Sequence, residues 1–550
     1  MAQHHLTRPH QQQQQHRDDT TRYLCAATQL DPDFADKAIK EFLVEPTRSV
    51  PPSPGTDTVA VLGEAVASRA RRKYRDALLL VMAVILVVIA PMTMTIAWIV
   101  VGVLAKVPAL ASPKKVSAAT KNALTVVVAI AAVVVVVLLL RSPELSSSTG
   151  YSSGLDSTGS DVGLVFTIVL LAGVLTVFLT DRIIVWQHLV TRFSRTSPPV
   201  ANPLAATRAV SANSTFMDGL RRVDLAERQR RDQTGVPLVV HRGYSPFVGA
   251  GFPYKPWSIA VPLQVVPGKT TKELSTDVFY ERITAALTDM GRATPLTPGK
   301  RLGEMRVTGQ VLVPADELID HIANPNTRAI LADLDYAPAQ TLPAEEAGRL
   351  RANPDEWARY YLCLQVETWD RDLVISVFIH AAMDENTLYV EWTPCVLLPI
   401  KPGYQEIDRM PRSPLRPIMN AVLETIRLPA SLIPNTIRLF SFIRPLPRDD
   451  GMVDARMYGS LNSLREMAAD DDVQNYFQIT DIERYLKILN SRYTLTVAKL
   501  LQESGYSTAN FNQQAQSVSN KYIHIERSVV HGNVNTGDNV QQGDVTEEAQ

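Results

Sequence analysis

The sequence predicts an α+β protein: a helical transmembrane region, then a cytosolic domain with a mostly antiparallel sheet and flanking helices. Three observations predict it. Between Ala77 and Thr180 lie three long runs without a charge. Between Arg359 and Ile400 three extended runs, RYYLCLQVETW, LVISVFIHAAM and TLYVEWTPCVLLPI, are joined by DRD and DEN, short enough for antiparallel hairpins. Further strand-like and helix-like stretches surround them in the order expected of an α+β domain.

Composition narrows the class. With 55 Lys and Arg against 56 Asp and Glu, the net charge of −1 gives no reason to expect nucleic acid as a partner. The three cysteines, Cys25, Cys363 and Cys395, include no C-x-x-C pair and are not a disulfide framework. Reduced thiols suit a cytosolic location for the soluble parts.

Residues 1–20 are Gln- and His-rich, lack the apolar core of a signal peptide and read as a disordered tail. Metal binding by His4, His5, His10 and His16 is the minor alternative. Residues 21–76 read as a cytosolic helical segment. Asp31 caps a helix with Pro32 in its first turn, and Phe34, Ala38, Ile39 and Phe42 recur at helical spacing. PTRSVPPSPGTD is a turn-rich linker, and a helix from Val59 to Ala70 leads into the basic RARRKYRD.

The transmembrane region is 77–195. A bilayer core needs ~20 helical residues, and the runs at 123–140 and 162–180 supply them. The run at 77–105 would be ~43 Å long as one straight helix, and each arm ~21 Å if split at Pro91. Charge helps to choose. Cations precede the first run (Arg69, Arg71, Arg72, Lys73, Arg75), fill the next loop (Lys106, Lys114, Lys115, Lys121) and follow the third run (Arg182, Arg192, Arg195). The loop at 141–161 has one cation, Arg141. Cationic loops favour the cytoplasm, so a Pro-broken hairpin or re-entrant segment at 77–105 followed by two spans puts both termini there. A single first crossing conflicts with that pattern but fits the length no worse. The expected location is the cell membrane, multi-pass, with the bilayer as partner.

A polar linker is expected at 196–234 and the α+β domain at 235–450. VPLVVH, WSIAVPLQVV and MRVTGQVLV read as strands; Ser275 caps a helix that stops near Gly291. The stretch HRGYSPFVGAGF suggests a ligand loop using His241, Arg242, Tyr244, Gly249 and Gly251. It lacks the Lys-Ser/Thr of a phosphate loop and the following helix of a dinucleotide site, so a structural loop with Tyr244 and Phe247 packed inward is the plainer reading. No cofactor motif is present. Cys363, His380 and Cys395 lie in apolar strands, and the hairpin puts His380 opposite about Tyr361; buried structural roles outweigh catalysis.

From Pro414 to Arg448 apolar residues share a helical face with arginines beside them. Arg416, Arg427, Arg438 and Phe440 could meet a membrane surface, or the segment could be a pair of helices packed on the sheet. The C-terminal helical segment, 451–528, contains a capping-box pattern at Thr480 and Glu483 and a stripe over 480–505 that needs the domain or a second copy as partner. In the Gly/Asn-rich tail, 529–550, short Val-centred repeats involve Gly532, Val534, Gly537, Asn539, Val540 and Gly543. They resemble amyloid-type homotypic signalling motifs, although Gln542 stands where the V-Q-x-G core is normally apolar.

The stretch RYLCAATQLDPDFADKAIKEFLVEPTRSVPPSPGTD, its Arg-rich and apolar sequel, and HRGYSPFVGAGF resemble a family of multi-pass membrane proteins of actinobacteria, from about Thr21 onward. That resemblance implies topology and no activity. The expected role is a non-enzymatic scaffold or signalling component. The alternatives are a ligand-sensing or enzymatic domain using 241–251 and an assembly-triggered defence protein.

Overall fold

The computed structural model describes residues 8–89, 157–194, 209–232, 235–292, 305–369, 372–410, 415–446 and 453–521. The helices that matter here are, in chain order, α1 (Arg8–Leu30), α2 (Pro32–Ile39), α3 (Thr58–Ile89), α4 (Ser157–Arg192), α5 (Ser214–Arg231), α6 (Thr276–Arg292), α7 (Leu415–Phe440), α8 (Tyr476–Glu503) and α9 (Ala509–Lys521). The strands are β1 (Val236–His241), β2 (Phe252–Pro253), β3 (Trp257–Pro262), β4 (Arg306–Pro314), β5 (Thr341–Leu342), β6 (Arg359–Thr368), β7 (Leu373–Met383) and β8 (Thr387–Leu397).

The chain divides into two units, and they interleave in sequence. One comprises 1–234, 315–341 and 400–468, the other 235–314, 342–399 and 469–550. This division differs from the expected contiguous domain at 235–450. The segment carrying α7 joins the first unit, and α8, expected in a separate C-terminal piece, belongs to the sheet.

In the helical unit Asp31 caps α2 as expected, accepting from the Asp33 and Phe34 amides at 2.9 and 3.1 Å. Burial disfavours its carboxylate, but hydrogen bonds from Tyr404 and these amides outweigh that and hold its pKa below the usual value. Phe34, Ala38, Ile39 and Phe42 are buried in one cluster with Leu24, Val61, Leu62 and Val223. α1 begins at Arg8, within the residues expected as a tail; glutamine is a fair helix former, and the C-terminal end of α1 is locked by the buried Leu24 to Ala27.

The turn-rich 46–57 stretch carries turns and no helix or strand, and the polar 196–234 segment contains a helix. The 45–51 stretch is largely buried, and α5 lies within the polar 196–234 segment with Gly219, Leu220, Val223 and Ala226 buried. Two arginines of α5 explain how a turn-rich stretch can be buried. Arg222 donates to the Phe42 and Glu45 carbonyls, and Arg230 to the Val50 and Pro51 carbonyls and Gln340 Oε1. Burial pushes both guanidinium groups down to about 10, and the carbonyls are the partners that keep buried polar backbone from being orphaned.

In the sheet unit the strand order is β2-β8-β7-β6-β4-β1-β5, with β3 also on β8. β1 and β4 are parallel; the β4–β6, β6–β7 and β7–β8 pairs are antiparallel. One sheet face is apolar and holds α6 and α8. Trp257, Trp392 and Tyr493 stack there, with Trp392 and Tyr493 5.1 Å apart and Phe279 edge-on to Tyr493. The stripe of α8 is thus covered by its own sheet unit: Ile482, Tyr485, Leu489, Val497 and Leu501 are buried. The cap of α8 is Asn475, not Thr480: Asn475 accepts from the Phe477 amide, while Gln478 reaches back to the Asn475 amide. Glu483 is drawn away by Lys255, 2.7 Å distant, and Tyr254.

Candidate functional site

The helical unit contains an antiparallel seam between α3 and α4. Glu64 lies 3.2 Å from His188, Arg71 and Arg75 reach Asp181 at 3.4 and 3.1 Å, and Leu79 clusters with Val174 and Phe178. Further along, Gly173 faces the end of Met82. As numbers rise on α3 they fall on α4, so the ion-paired ends lie together and the apolar ends lie together.

The ionic half is dense. Arg69 binds Asp36 (3.0 Å) and the Ser441 carbonyl (2.9 Å); Arg72 donates to the Thr28 carbonyl (3.0 Å) and Ser68 Oγ (3.2 Å); Arg75 also pairs with Asp76 (2.8 Å). Burial brings Arg72 down to about 10. The arginines read from sequence as a cytoplasmic charge signal are therefore also structural, matched by acidic residues and carbonyls. Removing one partner of such a buried pair costs about 3–5 kcal/mol.

The apolar half points outward. Val81, Val84 and Val88 on α3 are exposed, Val88 at 78 %, as are Val165, Ile168 and Val169 on α4. Among the described residues one helix stretch, Ile168–Arg192, is long and apolar enough to cross a membrane. It overlaps the run expected at 162–180. The second arm of the first run with Pro91, and the run at 123–140, lie outside the described residues, so the expected multi-span region is represented here by α3 and α4 alone.

The third helix of this site is α7. It runs unbroken through Pro429 and Pro434, and it packs on α3 and α4, where a pair of helices on the sheet was the alternative. Ala421 and Leu428 join the Leu79–Val174–Phe178 cluster, and Glu424 pairs with Arg182. Arg416 and Phe440 are exposed, and Arg427 and Arg438 half-buried.

In the sheet unit the 241–251 stretch lies against the face opposite α6 and α8. Phe247 is buried on Phe378 (4.5 Å between centroids) and Tyr361 (5.7 Å), with Cys363 and Cys395 in the same cluster. Tyr244, expected to pack inward with Phe247, is instead fully exposed. His241 is buried, its Nδ1 3.0 Å from the Gly243 carbonyl. Gly249 and Gly251 both have positive φ, and a Cβ on Gly251 would meet the Val396 carbonyl. The loop is thus fitted to the sheet by its backbone.

The β6–β7 register, with Leu362 opposite Ile379, sets His380 beside Tyr361 as expected. Its Nδ1 donates to the Tyr360 carbonyl at 2.8 Å, and burial lowers its pKa. The cross-strand partner on β8 is Glu391, itself 3.6 Å from Arg359. Sequence reasoning missed this carboxylate, although the short β7–β8 turn carries the signal: Met383 faces Leu388, and His380 then faces Glu391. Cys363 pairs across from Phe378, and Cys395 across from Ser376. Burial pushes the Cys363 thiol up to about 12. The structure does not bring the two cysteines and His380 into a nucleophile–base arrangement, and no group of metal-ligating side chains occurs among the described residues. His4, His5 and the tail positions Gly532, Val534, Gly537, Asn539, Val540 and Gly543 lie outside the described residues, as do the side chains of His10 and His16.

Residues 256–541 match the AbeC-like domain family. The chain belongs to that family. The AbeC-like match starts at the β3 edge of the sheet and takes in β3 to β8 and α6 to α9, leaving β1, β2 and the 241–251 stretch before it. It lies entirely after the apolar runs, and membrane topology is outside what it addresses. No curated protein and no solved structure matches this AbeC-like chain.

Proposed function

We propose that this chain is a membrane-anchored AbeC-like protein of abortive-infection type. Its α3–α4 seam forms the anchor, and the AbeC-like part works on the cytoplasmic side. The observation that carries the reading is the seam itself, with ion-paired bases at one end and outward-facing valines and isoleucines at the other. Water is a poor solvent for that apolar end, and hydrocarbon a good one.

The seam also bears on the crossing count. Three successive single crossings would make α3 and α4 run the same way. An antiparallel pair with 69–76 and 181–192 at the same end of the seam supports the Pro91 hairpin followed by two spans. The native cysteines are buried, so introduced ones can report. Cys at Ser153, in the outer loop expected from the sequence, is labelled by an impermeant maleimide in intact cells. Cys at Tyr74, 81 % exposed at the ionic end, is labelled only after permeabilisation. The reverse pattern, or a chain soluble without detergent, overturns the reading.

The defence assignment rests on the family match, and that match reaches Gln541, past the repeats at Gly532 and Gly537. This favours the tail as the trigger of assembly. Deleting 529–550 then abolishes higher-order assembly and protection against phage while the anchor remains in the membrane.

A further inference from the structure

α7 carries two apolar stripes on opposite sides. The inner one, with Ala421 and Leu428, is buried on α3 and α4. The outer one comprises Leu415, Met419, Val422, Ile433, Ile437 and Phe440, all exposed. Their successive spacings of four, three, eleven, four and three keep them within about 40° of one line at 100° per residue. Arg416, Arg427 and Arg438 recur every eleven residues, a second line advancing only about 20° per step along the flank of the outer stripe. The helix sits where charge gives way to hydrocarbon on its two neighbours. Leu428 meets Leu79, Val174 and Phe178, Glu424 pairs with Arg182, and the Ser441 carbonyl past its C-terminal end accepts from Arg69 and Lys73.

We propose that α7 is an interfacial helix: its outer stripe lies at the acyl–headgroup boundary and its arginine line holds the phosphates of anionic lipid. This deepens the membrane reading above and rests on it. Charge selects the occupant. An apolar stripe alone would accept any greasy surface, whereas a row of guanidinium groups beside it, Arg416 exposed and Arg427 and Arg438 half-buried, matches a sheet of phosphates, with the arginine stems covering apolar surface.

The test uses the full chain with Ile437→Cys carrying a polarity-sensitive dye, reconstituted in nanodiscs of phosphatidylcholine alone or with one third phosphatidylglycerol. A blue-shifted emission is expected in the anionic discs and a weaker shift in the neutral ones. Each arginine contributes roughly a fivefold change in partitioning, so Arg416→Glu/Arg427→Glu/Arg438→Glu returns the emission to that of water. Should that triple variant not fold, the comparison of the two lipids with the native arginines carries the test. Alkaline carbonate extraction separates this proposal from the anchor reading. A chain that stays in the membrane while position 437 reads as water in both lipids sinks the interfacial helix and spares the anchor. Release of the chain by carbonate sinks both. A blue shift that appears in detergent and grows with protein concentration assigns the stripe to a second copy of the chain and overturns the lipid proposal.

Discussion

Gly219→Ala tests the most consequential correction, the packing of α5 on the chain that leads into α3. In an unobstructed helix the change would stabilise by about 1 kcal/mol. Here the new Cβ would lie 2.6 Å from the Leu43 carbonyl oxygen and 2.8 Å from its Cα. Those are backbone atoms, which cannot rotate aside, and ordinary contact begins near 3.4 Å, so helix and turn must part by about 0.8 Å. Overpacking of this kind costs about 1–3 kcal/mol. The separation also lengthens the Arg222 bonds to the Phe42 and Glu45 carbonyls, and charged hydrogen bonds are worth about 1.5–3 kcal/mol when lost. Sterics therefore outweigh propensity, with a net loss of about 1–3 kcal/mol and a Tm lower by a few degrees. The assay is thermal unfolding of the full chain in detergent, with hydrogen exchange across 42–51, where protection should fall first. A raised Tm with unchanged protection would show that α5 does not press on this turn, and the reasoning would fail.

Two other outcomes follow. Burial disfavours the Glu483 carboxylate, but the Lys255 and Tyr254 hydrogen bonds outweigh it and lower its pKa from 4.5. A depressed folded pKa contributes stability above the unfolded value that disappears as pH falls through the folded one. Glu483→Gln should thus lower stability at pH 7 by about 1 kcal/mol and flatten the acid limb below pH 4.5, read by denaturant melts; an acid limb as steep as that of the native chain refutes it. Cys363, pushed from 9.0 to about 12 by burial, should react with iodoacetamide at pH 8 on the order of 10³ slower than a free thiol, and mass-spectrometric labelling of the folded chain at the free-thiol rate would contradict that.

What the sequence made legible was local. The Asp31 cap, the helix begun by Ser275, the strands LVISVFIHAAM and MRVTGQVLV, and the pairing of His380 with Tyr361 all follow from interactions within a few residues or across one tight turn. The misses are long-range. Nothing in the string around Arg222 and Arg230 says that their partners are carbonyls some 180 residues earlier. The interleaving of the two units, the seat of α7 on α3 and α4, and the placing of Glu391 opposite His380 depend likewise on which distant strands and helices meet. The Asn475 cap was missed for a different reason: Thr480 and Glu483 satisfy the same spacing rule, and only the capture of Glu483 by Lys255 separates the two candidates.

The arginines before the first apolar run show where counting charges stops being an orientation argument. Arg69, Arg71 and Arg75 are offset by Asp36, Asp76 and Asp181, and Arg72 is spent on a carbonyl and a hydroxyl. A cation already paired adds little to a membrane's attraction for the segment. The orientation is therefore better argued from Asp181. It sits immediately after the third apolar run and accepts from residues immediately before the first, so on the proposed membrane reading both ends of the anchor emerge on the side that holds Asp181. The polar groups of that cluster are satisfied only when α3 and α4 are docked. Inserted in the opposite sense, either helix would leave Asp181 and its two arginine partners on different sides of a bilayer, and the pairs would be lost.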